Sequence, residues 1–223
     1  MTPMFLGHFA LAMAAKRAAP RLSLGSLFVA AQFADLLWPI LVLAGVERVE
    51  VRPGITAVTP LDFVSYPWSH SLAMLALWGA LLGLAFVAAR RGGAAGMIAA
   101  LVVSHWLLDV ASHRPDMPLS PGGSQKLGLG LWNSLPATLV VELGLYALGV
   151  AVYARTTEPR DRVGRWALWS LVGFLGAIYL GNVFGPPPPS GRAVAWSGIA
   201  MWLLIAWGYW IDRHRRPVSA PAE

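Results

Sequence analysis

The sequence predicts an all-α fold, a polytopic membrane bundle of about seven transmembrane helices. The first observation behind this prediction is composition. Hydrophobic residues make up 57% of the 223-residue chain and charged residues 13%, with a mean hydropathy of +0.58, whereas about a quarter of a soluble domain is charged. The second is a series of apolar stretches near the ~20 residues that span a bilayer. The third is an alternation of basic residues along the chain.

Each apolar segment ends at an ordinary helix-breaking signal, such as Pro20, Pro159 or the Pro-Gly-Gly run at 121–123. Pro39 is expected to kink the outer part of the second segment. We expect residues 1–216 to form a single membrane-embedded domain and residues 217–223 a disordered cytoplasmic tail. The seven predicted segments are 3–16 (which is short), 22–46, 70–89, 94–113, 134–154, 164–185 and 193–211.

The seventeen Lys and Arg residues divide unequally between the two ends of these segments. Because cytoplasmic loops are enriched in basic residues, the richer side predicts the cytoplasm, with the N-terminus outside and the C-terminus inside a bacterial inner (cytoplasmic) membrane. Membrane lipid is therefore the expected partner. The net charge of +6 lies in short loops and does not indicate nucleic-acid binding. The richer side has Lys16, Arg17, Arg21, Arg90, Arg91, Arg155, Arg160, Arg162, Arg165, Arg213, Arg215 and Arg216; the poorer side has Arg48, Arg52, Arg114, Lys126 and Arg192.

Three ionisable residues, His105, Asp109 and His113, stand four positions apart near the end of the fourth segment. Each four-residue step advances about 40° around a helix, so the three side chains share one narrow face. Ionisable groups in an apolar segment require partners, and imidazole and carboxylate groups together suit a zinc-type cation. The chain contains no cysteine, so nitrogen and oxygen must supply the ligands. The spacing predicts a divalent-cation site, with Zn²⁺ as the expected ion.

The predicted topology places further polar residues in the same outer half of the membrane. Glu142 follows Ser134, a plausible helix N-cap, by eight residues, which places it ~12 Å below the outer surface. Asp35 or Glu142 is a candidate general base, and His214 is excluded as a cytoplasmic residue. Seven ligands exceed the needs of one tetrahedral zinc and suit two neighbouring ions. The predicted metal ligands are His8, Asp35, His70, His105, Asp109, His113 and Glu142.

The order of these residues resembles that of the bacterial membrane-bound metal-dependent hydrolases, a family distantly similar to zinc-dependent phospholipase C. The resemblance covers roughly residues 6–125. It implies a helical metal site and hydrolysis of an ester bond. The motifs that carry it are Gly7-His8, Asp35, Ser69-His70-Ser71 and Ser104-His105 with Asp109.

Two motifs depart from the family pattern. Ala34-Asp35-Leu36-Leu37 stands where many members have Pro-Asp-x-Asp, and Ser65-Tyr66-Pro67 replaces the usual His-Arg-Gly. One acid, one possible ligand and one phosphate-binding cation are therefore missing. Arg114, directly after His113, is positioned to compensate for the missing cation. Asp62 and Asp116 are loop acids that we expect to be solvated, although Asp116 is close enough to His113 to hydrogen-bond to it.

The leading hypothesis is a membrane-embedded, metal-dependent hydrolase that acts on a phosphoester of a lipid or envelope precursor. The alternative is a permease or ion transporter in which the same residues form a cation or proton pathway. A non-catalytic scaffold stabilised by metal is a third class. A transporter needs polar residues toward the cytoplasmic side, but the last two segments offer only Asn182 and Ser197 near their outer halves. This distribution favours the hydrolase.

Overall fold

A computed structural model describes residues 5–89 and 92–218, and this part of the chain is mostly helical. Ser134 caps the helix that follows it, as predicted, because its side chain accepts a hydrogen bond from the Ala137 N–H. The helices of the described part are α1 (Phe5–Ala15), α2 (Leu24–Ala31), α3 (Phe33–Leu43), α4 (Pro67–His70), α5 (Leu72–Ala88), α6 (Ala95–Ser112), α7 (Leu135–Thr156), α8 (Arg162–Phe184), α9 (Gly191–Ile199) and α10 (Met201–Arg213).

Four helical stretches of the described chain are long and apolar enough to cross a membrane: Gly92–Ser112, Leu135–Thr156, Arg162–Phe184 and Gly191–Arg213. A fifth span exists if α2 and α3 count as one, although they meet at a 57° bend. The membrane character and helical fold predicted from the sequence are thus supported, but seven spans are not confirmed. The first and third predicted segments correspond to shorter apolar helices, α1 with 11 residues and α5 with 17.

Helix α1 lies in the middle of the bundle. It contacts α2, α6, α7 and α8, and nine of its eleven residues are buried. An apolar sequence on every face is typical of a helix that is surrounded by others, and at 1.5 Å per residue α1 is only about 16 Å long. The first segment is therefore short because it is a central packing element.

Small residues bring pairs of helices into close contact. Gly79 and Gly83 of α5 lie against the backbone of Ala99 and Ala95 of α6, and a Cβ added at Gly79 would stand 3.0 Å from the Ala99 carbonyl oxygen. Gly149 of α7 packs in the same way on the backbone of Ala10. Contacts of this small-residue type are common between membrane helices, where backbone proximity replaces the hydrophobic driving force.

Three two-stranded antiparallel sheets lie in the connections. They pair β1 (Arg48–Val51) with β2 (Leu61–Ser65), β3 (Met117–Pro118) with β4 (Lys126–Leu127), and β5 (Thr157–Pro159) with β6 (Arg215–Pro217). The all-α prediction had no strands, because these segments are too short to show a period in the sequence. Pro217 and Val218 were expected in a disordered tail, but Pro217 belongs to β6 and the Val218 N–H bonds to the Thr156 carbonyl. Residues 219–223 lie outside the described part.

The two predicted sets of basic residues gather at different ends of α7. Near the C-terminal end of α7, Lys16 pairs with Asp212 at 2.9 Å and Arg216 pairs with Glu158 at 2.8 Å. The loops that contain Arg52 and Arg114 lie beyond the N-terminal end of α7. Both arginines pair with Asp62. Arg90 and Arg91 lie outside the described residues. The grouping of basic residues agrees with two membrane sides.

Candidate metal centre

The site begins at the break between α2 and α3. Gln32 separates the two helices and is fully buried. The Ala31 carbonyl at this break lies 2.8 Å from His105 Nδ1. Because a carbonyl only accepts, Nδ1 carries the proton in a neutral ring and Nε2 is the basic nitrogen. The break also places Asp35 in the first turn of α3. We expected a kink at Pro39, but the bend lies seven residues earlier.

Two carboxylates lie between the basic nitrogens of two histidines. His70 Nε2 is 3.5 Å from Asp35 Oδ1 and 3.8 Å from Asp109 Oδ2. His105 Nε2 is 3.2 Å from the same oxygen of Asp109 and 4.0 Å from the same oxygen of Asp35. Ligand atoms of a tetrahedral zinc site lie about 3.3 Å apart, since each is about 2.0–2.1 Å from the ion. The ligand atoms of Asp35, His70 and His105 all lie within 4.8 Å of one another, which is compatible with a bound divalent cation, and Asp109 approaches both histidines beside them.

Different helices supply these four groups. Asp35 comes from α3 and His70 from the end of α4, while His105 and Asp109 are one turn apart on α6. All four side chains are no more than 2% exposed. The prediction that His105 and Asp109 share a helix face with partners from other segments agrees with this arrangement.

His8 forms a second group with His105 and Asp109. Its ring stacks on that of His105, with centroids 3.7 Å apart and planes within 4°. Its Nε2 lies 3.1 Å from Asp109 Oδ1, the oxygen that faces away from His70. Both groups of potential ligands require His105, and its one basic nitrogen binds only one cation. The described residues thus offer one principal ion position, with His8 beside it.

The electrostatics of the cluster require a positive charge. Among the described residues, His105 Nε2 makes no hydrogen bond, although it is buried and faces a carboxylate oxygen at 3.2 Å. A lone pair at that distance from an anion is repelled unless a proton or a cation lies between them. Two buried carboxylates without a cation are very unfavourable in a low-dielectric interior. The residues present therefore fit a divalent cation held by nitrogen and oxygen.

His113 was predicted as a ligand, but neither group of potential ligands includes it. Helix α6 ends at Ser112, and His113 caps it with an extended backbone (ψ 149°). Its Nδ1 lies 2.8 Å from Asp116 Oδ1, and its ring centroid is 4.1 Å from that of Trp132. Asp62 and Asp116 were expected to be solvated, but both are buried, and Asp116 makes the hydrogen bond to His113 that was the alternative for it.

Glu142 was also predicted as a ligand, and it too lies outside both groups of potential ligands. Its Oε2 accepts a hydrogen bond of 2.9 Å from the Gly7 N–H in the first turn of α1. A carboxylate there satisfies a free N–H and complements the helix dipole. Its Oε1 makes no hydrogen bond with the described residues. Glu142 therefore touches the residue next to His8.

His214 was excluded from the site as a cytoplasmic residue. His214 Nδ1 lies 2.7 Å from Asp161 Oδ2 at the other end of the bundle.

Sequence reasoning missed Glu47, a buried acid at the outer end of α3. Glu47 Oε1 accepts hydrogen bonds from the backbone N–H groups of Trp68 and Ser69, at 2.8 and 2.9 Å. Its Oε2 accepts the Ser69 hydroxyl at 2.6 Å. Nothing local indicates this role, because Glu47 stands 22 positions from Ser69 and belongs to no motif.

Aromatic and ionic side chains pack beside the cluster, next to the end of α6. Tyr66 packs on His70, with ring centroids 5.3 Å apart, and donates a hydrogen bond of 2.9 Å to Asp116. Burial opposes ionisation of Asp116, but hydrogen bonds from His113 and Arg114 outweigh it, so the pKa of this carboxyl is lowered. Burial, reinforced by Asp116, raises the pKa of Tyr66 well above its ordinary value.

No protein-family model, curated protein or solved structure matches this chain. The geometry of the site is thus the basis for any function assigned to it.

Proposed function

We propose that the chain is an integral membrane protein that binds one divalent cation, with Zn²⁺ the best fit, through Asp35, His70, His105 and Asp109. The observation that carries this proposal is a buried cluster in which the Nε2 atoms of His70 and His105 each lie 3.2 to 4.0 Å from a carboxylate oxygen of Asp35 and of Asp109. We propose one ion rather than two, because His105 has a single basic nitrogen available. His8 would hold Asp109 in place through its second oxygen.

The reaction we propose is hydrolysis of a phosphoester carried by a lipid or envelope precursor. When bound, a divalent cation supplies Lewis-acid activation of water and of a phosphoryl oxygen. The protein excludes bulk water and orients its donors. Among the acids that we predicted as bases, Glu142 is the better candidate, since Asp35 belongs to the donor set. Its Oε1 is available to hold a proton beside the His8 segment.

We also propose the finer topology: seven crossings with α1 and α5 as the shorter ones, in a bacterial inner membrane with the N-terminus outside. The separate grouping of basic residues supports this orientation. The cluster then lies in the outer half, where His8 and Glu142 stand near the outer ends of α1 and α7. A substrate in the outer leaflet fits that depth.

Metal analysis of purified protein tests the binding proposal. Wild-type protein should carry about one equivalent of metal, and replacement of His70, His105 or Asp109 by Ala should each lower occupancy at least several-fold. His214→Ala is the matched control and should keep the wild-type content, because His214 lies at the other end of the bundle. Equal occupancy in all variants would show that the cluster is a packing or relay arrangement.

A second candidate function, ion transport, is favoured by one observation. The 57° bend between α2 and α3 places Asp35 at a broken membrane helix, a feature of the binding sites of many transporters. Purified protein in liposomes separates the two functions. Hydrolysis of a phospholipid or generic phosphodiester that is lost in His105→Ala supports the enzyme, whereas a metal-dependent ion flux lost in the same variant supports transport.

A further inference from the structure

The residues that orient His70 form a chain from Glu47 through Ser69. Ser69 Oγ lies 2.6 Å from Glu47 Oε2 and 2.7 Å from His70 Nδ1. All three side chains are buried, with Glu47 3% and Ser69 0% exposed. These are short hydrogen bonds in an environment with little competing water, so their direction is well defined.

The direction of these hydrogen bonds follows from the donors available. The Glu47 carboxylate only accepts, and three donors converge on it: two backbone N–H groups and the Ser69 hydroxyl. Because Ser69 has one hydroxyl hydrogen and gives it to Glu47, its oxygen must accept at its other contact. His70 Nδ1 therefore donates, and His70 Nε2 is the nitrogen without a proton.

We infer that Glu47 and Ser69 are positioning residues that set the tautomer of His70, so that its basic Nε2 faces Asp35 and Asp109. This inference deepens the proposed function and rests on it for its purpose, since the orientation serves cation binding. His105 obtains the same tautomer from the Ala31 carbonyl. Both histidines thus present Nε2 to one point, and such outer partners commonly set the affinity of a metal site.

Glu47 also has a structural role, because its Oε1 caps the first turn of α4. Glu47→Gln separates the two roles. The amide oxygen would keep the two backbone N–H bonds, which leaves the NH₂ group facing Ser69. That group donates to Ser69 Oγ, so the Ser69 hydroxyl would then donate to His70 Nδ1. The His70 proton would move to Nε2 and face the carboxylates.

The experiment is ¹⁵N NMR of histidine-labelled, metal-free, full-length protein in lipid bilayers at pH 8. The His70 signals are assigned by their loss in His70→Gln. Wild-type protein should show a protonated Nδ1, because Ser69 accepts its hydrogen bond, and Glu47→Gln should show an Nδ1 without a proton. In parallel, Zn²⁺ affinity should fall about 10–100-fold in Glu47→Gln. Asp161→Asn is the matched control, since Asp161 also caps a helix and contacts a histidine, and it should leave His70 unchanged.

Ser69 variants keep the inference testable if Glu47→Gln does not fold. Ser69→Ala should leave His70 as a mixture of tautomers, and Ser69→Thr, which keeps a hydroxyl, should restore the wild-type signals. A bare Nδ1 in the wild type, or an unchanged His70 in both Glu47→Gln and Ser69→Ala, would overturn the inference. Wild-type protein with the expected tautomer but no affinity for Zn²⁺ would instead contradict the proposed function and leave the positioning role supported.

Discussion

At the scale of single residues, the sequence identified the ionisable side chains of the site but not their separate roles. His70, His105 and Asp109 could be predicted because ionisable groups in apolar segments require partners. Glu142 satisfies the same rule with the backbone N–H of Gly7, and His113 satisfies it with Asp116. A sequence pattern does not distinguish a partner that is a cation from one that is a helix end or an acid.

Amide substitution separates the roles of the two deepest acids. Asn and Gln keep the size of the side chain but lose its charge and its basic oxygen. Asp35→Asn should lose most of the metal, because Asp35 belongs to the donor set. Glu142→Gln should keep most of the metal and lower turnover by about 10²–10⁴. Metal content and turnover are measured on the same preparations. The opposite pattern, with metal lost only in Glu142→Gln, would exchange the two assignments.

At the scale of elements, the break between α2 and α3 shows where prediction from the sequence stops. Residues 22–46 are uniformly apolar apart from a few polar positions, so the sequence indicates one span with a kink at its proline. The chain bends instead at Gln32, where the Ala31 carbonyl is satisfied by His105 of α6. A contact with a residue 74 positions away decides the bend, and no local pattern contains it.

The outer connection after α6 depends on similar long-range contacts. The N–H groups of Leu129 and Gly130 bond to the carbonyls of Val110 and His113, at 2.7 Å each, and so complete the end of α6. Gly128 lies against the Arg114 carbonyl, where a Cβ would not fit. The segment before α7 is rich in glycine, but its role in completing the end of α6 is not visible in the sequence.

The ionic contacts of Asp116 predict how this outer connection responds to acid. The pKa of Asp116 is lowered in the folded protein, so its stabilising contribution is fully present above the unfolded value of about 3.9 and is lost as the pH falls through the folded value. His113, Arg114 and Tyr66 face this carboxylate, and Asp62 faces it through Arg114. Hydrogen exchange of residues 114–133 should therefore stay slow from pH 7 to about pH 4 and accelerate below it.

Asp116→Asn provides the control for this acid response. Without the carboxylate, the free energy of opening measured by hydrogen exchange in residues 114–133 should already be about 1–3 kcal/mol lower at pH 7, because a buried charged hydrogen bond is removed. Their exchange should then depend less on pH below 4. Equal acid dependence in the variant and the wild type would assign the response to another group.

At the scale of the whole molecule, composition and the placement of basic residues predicted a helical membrane protein with polar residues converging in one half. The number of crossings is not settled by segment length, because α1 is both apolar and in contact with four other helices, so either surrounding accounts for its composition. Lipid and protein interior select the same residue types, so hydropathy alone does not distinguish them.

The orientation can be measured with reporters fused to the whole chain. A reporter active only in the periplasm should be silent when fused after Glu223 and active when inserted at Gly54, in the turn of the β1–β2 hairpin. Gly54 has φ +83° and open space around its Cα, so an insertion there is well tolerated. The reverse pattern would place the cluster in the inner half of the membrane.

The β5–β6 sheet has a consequence for the order in which the molecule assembles. The guanidinium group of Arg215 is buried and donates to Thr157 and Gly164, at 2.7 to 3.1 Å. During synthesis β5 emerges before α8, α9 and α10, and β6 only after them. Until then Thr157 and its neighbours have no strand partner. This sheet therefore forms only after α8, α9 and α10 have been synthesised, later than every other strand pair of the described chain.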